Sequence, residues 1–227
     1  MKHAVIDRPH TVSSYDQQLA EVNAIINRMA DLACSSLAEA VTALAQADQR
    51  AADEIVAKDR DIDELELSLE RLVLLTITSR GPMAEDLRYL IVAIRVGKML
   101  ERTGDQAKRI ARRVRKIDAD QLGQHVTLIR AMANYAQEMV ENAMRSFNRA
   151  APQTAREVIE ADLQLNGMHQ KLTRSCSEAM AAGTQRIGQG VEVISIGKQL
   201  ERVGDYATNI AQDVIYVVTG DRGDAAT

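Results

Sequence analysis

The side chains whose spacing points to chemistry in this sequence are carboxylates. Asp59, Asp63, Glu66 and Glu70 follow an i, i+4, i+7, i+11 course, which lines them along one ridge of a helix turning 100° per residue. Glu101 and Asp105 form an i, i+4 pair, and so do Glu201 and Asp205. Asp162 is followed four residues later by Asn166 rather than an acid. Like charges gathered at one level repel, and they invite a cation, either a side chain or a metal ion. Two readings of these positions stand. Lys98, Arg102, Lys108, Arg109 and Arg112 could neutralise the acids through ion pairs that are individually weak. Alternatively the acids bridge a metal, and hard oxygen donors suit iron, manganese or magnesium without selecting among them. The histidines, His3, His10, His125 and His169, form none of the Glu-x-x-His pairs that di-iron bundles place on their helices. No ligand is expected from them.

Six long helical segments must position these groups. Chain breakers are sparse, with three Pro in 227 residues, and they separate segments of about 30 residues, each about 45 Å long if helical. The first runs from Ser14 to Ala47 and the second from Asp48, a plausible N-cap, to Ser79. Gly81 and Pro82 punctuate, and the third runs from Pro82 to Ile117. The fourth covers Gln124 to Ala150, the fifth starts at Pro152, and the sixth follows a loosened stretch from Gly183 to Gly190 and stops near Gly220. Residues 1–13 are expected to be flexible and 221–227 disordered. If the second and third segments fold back about Gly81, Asp59 and Asp63 come level with Glu101 and Asp105. The turn near Gly183 likewise brings Asp162 within about a turn of Glu201 and Asp205.

Composition agrees with an all-helical chain. Apolar residues make up 46%, aromatic residues only 3%, and Trp is absent, so strands lack their preferred residues. The first ten residues, MKHAVIDRPH, have no hydrophobic run of the kind a secretion signal needs. No stretch approaches the roughly 20 apolar residues that span a bilayer. Cys34 and Cys176 lie far apart without a CxxC pattern, which points to reduced core thiols and a cytoplasmic protein. A net charge of −4 lacks the footprint of a nucleic-acid binder. The local exception is KRIARRVRK, where six of nine residues are basic. Compensating a helix dipole needs only one or two of them, so Lys108, Arg109, Arg112, Arg113, Arg115 and Lys116 are expected to form a docking patch. Its counterpart would be an acidic protein surface or an anionic membrane face.

The chain repeats itself. KMLERTGDQAKRIA from Lys98 and KQLERVGDYATNIA from Lys198 agree at nine of fourteen positions at an offset of 100. A fainter echo at an offset of 103 relates Asp59, Ile62 and Leu65 to Asp162, Leu165 and Met168. The repeat unit is therefore three helices, and the expected fold is all-α, two tandem pseudo-symmetric three-helix bundles over residues 14–119 and 120–220. Gly97 and Gly104, recurring as Gly197 and Gly204, suggest close helix approach.

The doubled pattern LERxGDxAxxIA, at Leu100 to Ala111 and Leu200 to Ala211, resembles the signature of the PhoU family of phosphate-transport regulators, and GPMAEDLRYL and DRDIDEL resemble the rest of that family's first repeat. The resemblance spans essentially the whole chain. It implies a non-enzymatic regulator of phosphate uptake and of the phosphate-starvation response. The implied partners are the ATPase subunit of the phosphate ABC transporter and the phosphate-sensing histidine kinase, with contact to the membrane peripheral at most. A homodimer is the expected assembly. Some members of that family bind iron or zinc clusters through a Glu/Asp-x-x-x-Asp motif, which here matches Asp59 with Asp63, Glu101 with Asp105 and Glu201 with Asp205. Asn166 departs from it after Asp162, so iron, zinc or another divalent metal is expected first in the N-terminal site. A carboxylate-bridged metal-binding protein and a metal-dependent phosphohydrolase are the alternative functions.

Overall fold

The structure, a computed structural model, describes residues 13–220, and those residues are helical with no strand. Six long helices are joined by short turns: α1 (Ser13–Gln46), α2 (Gln49–Arg80), α3 (Ala84–Ala111), α5 (Val126–Arg149), α6 (Pro152–Ala181) and α7 (Ile187–Thr219). A seventh, the four-residue α4 (Ala119–Leu122), sits in the connection between the repeats. The expected segments 1–13 and 221–227 fall outside the described residues, apart from Ser13, which opens α1.

Local chemistry sets the helix ends. Asp48 caps α2 as expected, its carboxylate accepting from Ala51 N at 3.0 Å. Gly81 stops that helix in the left-handed region at φ 55°. Pro82 lies outside α3, which starts two residues later behind Met83. The larger departure is at the other end of α3, which stops at Ala111 rather than Ile117. Beyond it Arg113 N bonds Ile110 O, Val114 N bonds Ala111 O and Lys116 N bonds Arg113 O, each an i to i+3 bond of tighter turns. Gln189 fixes this change of course, accepting from Asp118 N and donating to Lys116 O, both at 3.0 Å. Gln121 is bound in the same way to the α6–α7 turn, through Gln185 Nε2 and Arg186 N.

Each repeat is an antiparallel bundle, α1 to α3 and α5 to α7, but the two do not have separate cores. α3 packs on α7 and α1 on α5, and the buried apolar side chains of both repeats form one cluster. α2 and α6 occupy the outer flanks. Near the pseudo-twofold axis Gln106 Nε2 donates to Tyr206 OH at 3.5 Å, a pair separated by the repeat offset of 100. Arg95 pairs with the buried Asp213 at 2.8 Å on one side of the axis, and Arg113 pairs with Glu192 on the other. Asp213 stands where the first repeat has Arg113, so equivalent positions carry opposite charges and tie the halves together.

The glycines act through close approach. A Cβ at Gly97 would stand 2.4 Å from Leu69 Cδ2, and at Gly104 2.6 Å from Ile62 Cδ1. Gly197 and Gly204 meet Leu172 and Leu165 in the same way. The α2–α3 and α6–α7 seams therefore close leucine or isoleucine onto bare backbone.

One strained feature also repeats. Ala47 and Ala150, 103 residues apart, end α1 and α5 with φ of 54° and 48°, a region that disfavours any Cβ. Glycine at either position should raise stability by about 1 kcal/mol, less whatever unfolded-state entropy glycine adds. Urea unfolding of Ala47→Gly and Ala150→Gly tests this, and a loss of stability in both would contradict the assignment.

Candidate functional site

The α2–α3 seam gathers the first set of carboxylates. Asp59 does not sit beside the apolar stripe of α2, as its ridge position suggests, but within it, between Ile55 and Ile62 and only 7% exposed. Such a charge must be paired or strongly hydrogen-bonded. Lys108 from α3 supplies the partner, its Nζ against Asp59 Oδ2 and 3.2 Å from Asp105 Oδ1. One turn pair further along, Lys98 Nζ bridges Glu66 at 3.1 Å and Glu101 at 3.0 Å. Asp63 is exposed, yet partial desolvation of its carboxyl and then the charge of Asp59 raise its pKa, with Lys108 opposing and Asp105 and Glu66 adding to the rise. Burial also raises Glu101, while Lys98 opposes. The hydrogen bond to Asp59 raises the Lys108 ammonium above its ordinary value against the desolvation that lowers it.

The α6–α7 seam is the same frame with different contents. An offset of 103 on the outer helix and 100 on the inner one places Asp162 at Asp59, Asn166 at Asp63, His169 at Glu66, Glu201 at Glu101, Asp205 at Asp105 and Thr208 at Lys108. Lys198 pairs with Glu201 but without hydrogen-bond alignment. No cation replaces Lys108. Asn166 Nδ2 donates to Asp162 Oδ2 at 2.7 Å, which fixes its own Oδ1 as an acceptor. Asp162 Oδ1, Asn166 Oδ1, His169 Nε2 and Thr208 Oγ1 are then buried without a partner. Burial lowers the His169 pKa, and its ring hydrogen-bonds the Ile194 backbone. Burial raises Asp162, with Asn166 opposing and Glu201 adding to the rise.

Tested against a metal, the two seams differ. In the first, the inward carboxylates are already bound to ammonium groups, so its residues do not fit an added cation. In the second no ammonium answers Asp162, and Asp162 Oδ1, Asn166 Oδ1, His169 Nε2 and Thr208 Oγ1 stay buried without a partner. Among the described residues no group of three His, Cys, Asp or Glu side chains is placed to hold a metal ion. Lys98 and Lys108, both among the cations expected to neutralise the acids, do so here, whereas His169 is the member of these seams that carboxylate spacing does not reveal. Its signal lies in the repeat alignment, which sets it against Glu66.

The sequence matches the PhoU domain twice, over residues 26–114 and 129–214. The chain belongs to the PhoU family. A phosphate-specific transport system accessory protein PhoU homolog of Zymomonas mobilis is 36% identical, covering 93% of this chain and 89% of the relative. One from Caulobacter vibrioides is 32% identical over 93% of each. The crystal structure of PhoU from Pseudomonas aeruginosa superposes with a TM-score of 0.83 at 28% identity, covering 91% of this chain and all of that one. That of the phosphate transport system regulatory protein PhoU from Streptococcus pneumoniae gives 0.85 at 25%, covering 92% and 99%. The first match ends at residue 114 and the second begins at 129, so Lys108, Arg109, Arg112 and Arg113 of the basic cluster lie inside the matched domain and Arg115 and Lys116 just beyond it.

That cluster divides on folding. Lys108 serves the first seam. Arg113 pairs with Glu192, and its Nε donates to Gln199 at 3.3 Å. Arg115 pairs with Asp53 at 2.5 Å on the surface. Arg109, Arg112 and Lys116 remain exposed. The thiols are core groups. Cys34 and Cys176 are free and buried, with burial, then Glu141 and Asp31, pushing Cys34 up to about 12. Burial raises Cys176 to about 11, beside His125 Nε2 at 3.6 Å. Neither is a thiolate near neutral pH.

Two outcomes are expected. Arg113→Gln breaks a charged contact that is only about one-fifth exposed and should cost about 1.5–3 kcal/mol, whereas Arg112→Gln should fall within about 0.5 kcal/mol of wild type. Denaturant unfolding separates them. Burial, then Glu201 and Asp162, raises the Asp205 carboxyl against Lys198 and Arg202. A carboxyl raised in the folded state binds its proton more tightly folded than unfolded, so its contribution to stability falls as pH rises through that window. In chelator, Asp205→Asn should be more stable than wild type at pH 7. Its advantage should shrink as pH is lowered toward about 4.

Proposed function

We propose that this chain is a non-enzymatic, cytoplasmic regulator of phosphate uptake and of the phosphate-starvation response, acting by contact with the ATPase subunit of the phosphate ABC transporter and with a phosphate-sensing histidine kinase. The observation that carries this reading is the PhoU domain matched in both repeats, with relatives named phosphate-specific transport system accessory proteins over nearly the full length. Homodimerisation is part of the same reading.

The surface supports a protein that works by contact. Arg109, Arg112 and Lys116 project from α3 and the turns after it, without a task in the core. Leu67, Leu74 and Leu75 on α2 are half or more exposed, and Met83 at its turn is 79% exposed. Large apolar side chains held in water on one flank suit a protein partner. No helix among the described residues is long and apolar enough to cross a membrane, so contact with a membrane transporter is made from its peripheral face.

Affinity capture of the full chain from phosphate-replete and phosphate-starved cells should recover the transporter ATPase and the kinase, and size-exclusion chromatography with light scattering reports the dimer. Replacing Arg109, Arg112 and Lys116 together by Gln should weaken capture and flatten its salt dependence, because exposed charges act through a screened field. Arg113 is left intact in that variant since it holds the repeats together. Capture of neither partner under either condition would refute the proposal.

A further inference from the structure

We infer that the open groove between α3 and α7 binds a short chain of phosphoryl groups, held between Arg109 and Arg202 at one end and by Arg102 at the other. Nothing in this depends on the partners proposed above.

The doubled motif carries one position without a task in the fold. Nine residues are identical between 98–111 and 198–211. Leu100, Ala107, Ile110 and Ala111 are buried core, as are their counterparts. Gly104 and Gly204 admit Ile62 and Leu165. Lys98 and Lys198 pair with Glu101 and Glu201, and Asp105 bonds Lys108. Arg102 and Arg202 are left over. Both are exposed, and among the described residues neither guanidinium has an ion-pair or hydrogen-bond partner. Other exposed side chains of the first repeat are not kept in the second, where Leu74 is replaced by Ser177, Arg112 by Gln212 and Lys116 by Tyr216. An arginine retained twice in water, with no contact to hold it, points to a ligand.

Contacts between the two helices fix where these arginines stand. Asn209 Nδ2 meets Met99 Sδ at 3.9 Å, Gln106 meets Tyr206 at 3.5 Å and Arg113 meets Gln199 at 3.3 Å, so α3 and α7 run antiparallel. Midway between the last two contacts, Arg109 and Arg202 come level across the groove. Arg102 lies about 10 Å back along α3, between the levels of Tyr206 and Asn209. The three arginines stand about 200° round their helices from Leu100, Ala107 and Leu200, which are fully buried. All three therefore face the open side, where Arg109 is exposed and unpaired like the other two. Tyr206 OH accepts from Gln106 and keeps its own proton to donate.

Two guanidinium groups set level, with Gln106 and Tyr206 rather than an acid beside them, repel each other until an anion lies between. Their planar donors match phosphoryl oxygens in pairs. Arg102 then sets the length of the ligand. A single phosphate reaches the Arg109–Arg202 pair alone, whereas a triphosphate chain laid along the groove extends to Arg102. The acids of the motif limit its width, with Glu101 and Asp105 on one flank and Glu201 and Asp205 on the other. A broad anionic surface, such as a membrane or a nucleic acid, would press against those carboxylates. A slim chain meets only arginines.

Isothermal calorimetry of the full chain at constant ionic strength, with sodium tripolyphosphate and separately with inorganic phosphate, tests the site. One tripolyphosphate should bind per chain, about tenfold or more tighter than phosphate. Arg109→Gln and Arg202→Gln should each weaken tripolyphosphate about fivefold or more. Arg102→Gln should weaken tripolyphosphate more than phosphate and so narrow the preference for the chain. Arg130→Gln removes an equally exposed charge on α5 and should match wild type. A further arm with magnesium-free ATP separates the two sources of a triphosphate chain. Tighter binding of ATP than of tripolyphosphate would assign the site to a nucleotide, and equal or weaker binding to a free oligophosphate. No saturable binding of tripolyphosphate, equal losses in Arg130→Gln and Arg202→Gln, or an unchanged preference in Arg102→Gln would each overturn the proposal.

Discussion

A carboxylate set into the seam between two packed helices has to be answered by a positive charge at the same level. Asp59 imposes this condition on the first repeat, because it occupies a stripe position that an aliphatic residue would otherwise fill. Transfer of an unpaired carboxylate out of water costs several kcal/mol even after relaxation, a large part of a domain's total stability. Lys108 must therefore reach it, which requires α3 to lie close to α2 with its register fixed to within a residue. Gly97 and Gly104 provide the closeness by letting Leu69 and Ile62 touch backbone. The register follows from Gly81, whose left-handed cap sets where the hairpin turns. The glycine pattern, the turn and the lysine are thus parts of a single solution.

Most of that solution was legible in the sequence because helices make spacing and geometry interchangeable. The i, i+4 acids, the doubled LERxGD pattern and the Asp48 cap each translate into three dimensions through a fixed 100° step. What was not legible depends on contacts between distant segments. The end of α3 is an example, since Arg112 to Ile117 has the composition of a helix terminus, but Gln189, some 70 residues away, takes up the Lys116 carbonyl and the Asp118 amide. The basic cluster is another. Nothing in KRIARRVRK distinguishes Arg113, which grips Glu192 and Gln199, from Arg112, which faces water. The place of His169 is hidden for a related reason. His169 carries no local motif, and its place in the seam emerges only when the outer helices are aligned at 103 while the inner ones are aligned at 100.

The two repeats show how a symmetric frame can hold unlike chemistry. Both keep the glycines, the left-handed alanine turn and the Glu-x-x-x-Asp pair on the inner helix. They differ where a substitution can be compensated locally. Opposite charges at equivalent positions, Arg113 against Asp213, are useful at the interface between the halves, because a twofold relation then brings each next to a partner on the other repeat. In the seams, Lys108 against Thr208 decides whether the acids are neutralised from within.

The placement of the seams bears on how such a protein transmits a signal. α3 and α7 belong to the shared core and are locked to each other by the Arg95–Asp213 and Arg113–Glu192 pairs, so they are poor candidates for independent motion. α2 and α6 each pack only within their own repeat. In the first repeat the charges under discussion tie the outer helix to that shared core, Lys108 to Asp59 and Lys98 to Glu66. A change in what neutralises a seam therefore acts first on an outer helix. The exposed leucines of α2 lie on the flank whose inner edge Lys108 fixes. A built-in cation there ties that surface to α3, whereas at the matching level of the second repeat Thr208 stands in place of the lysine.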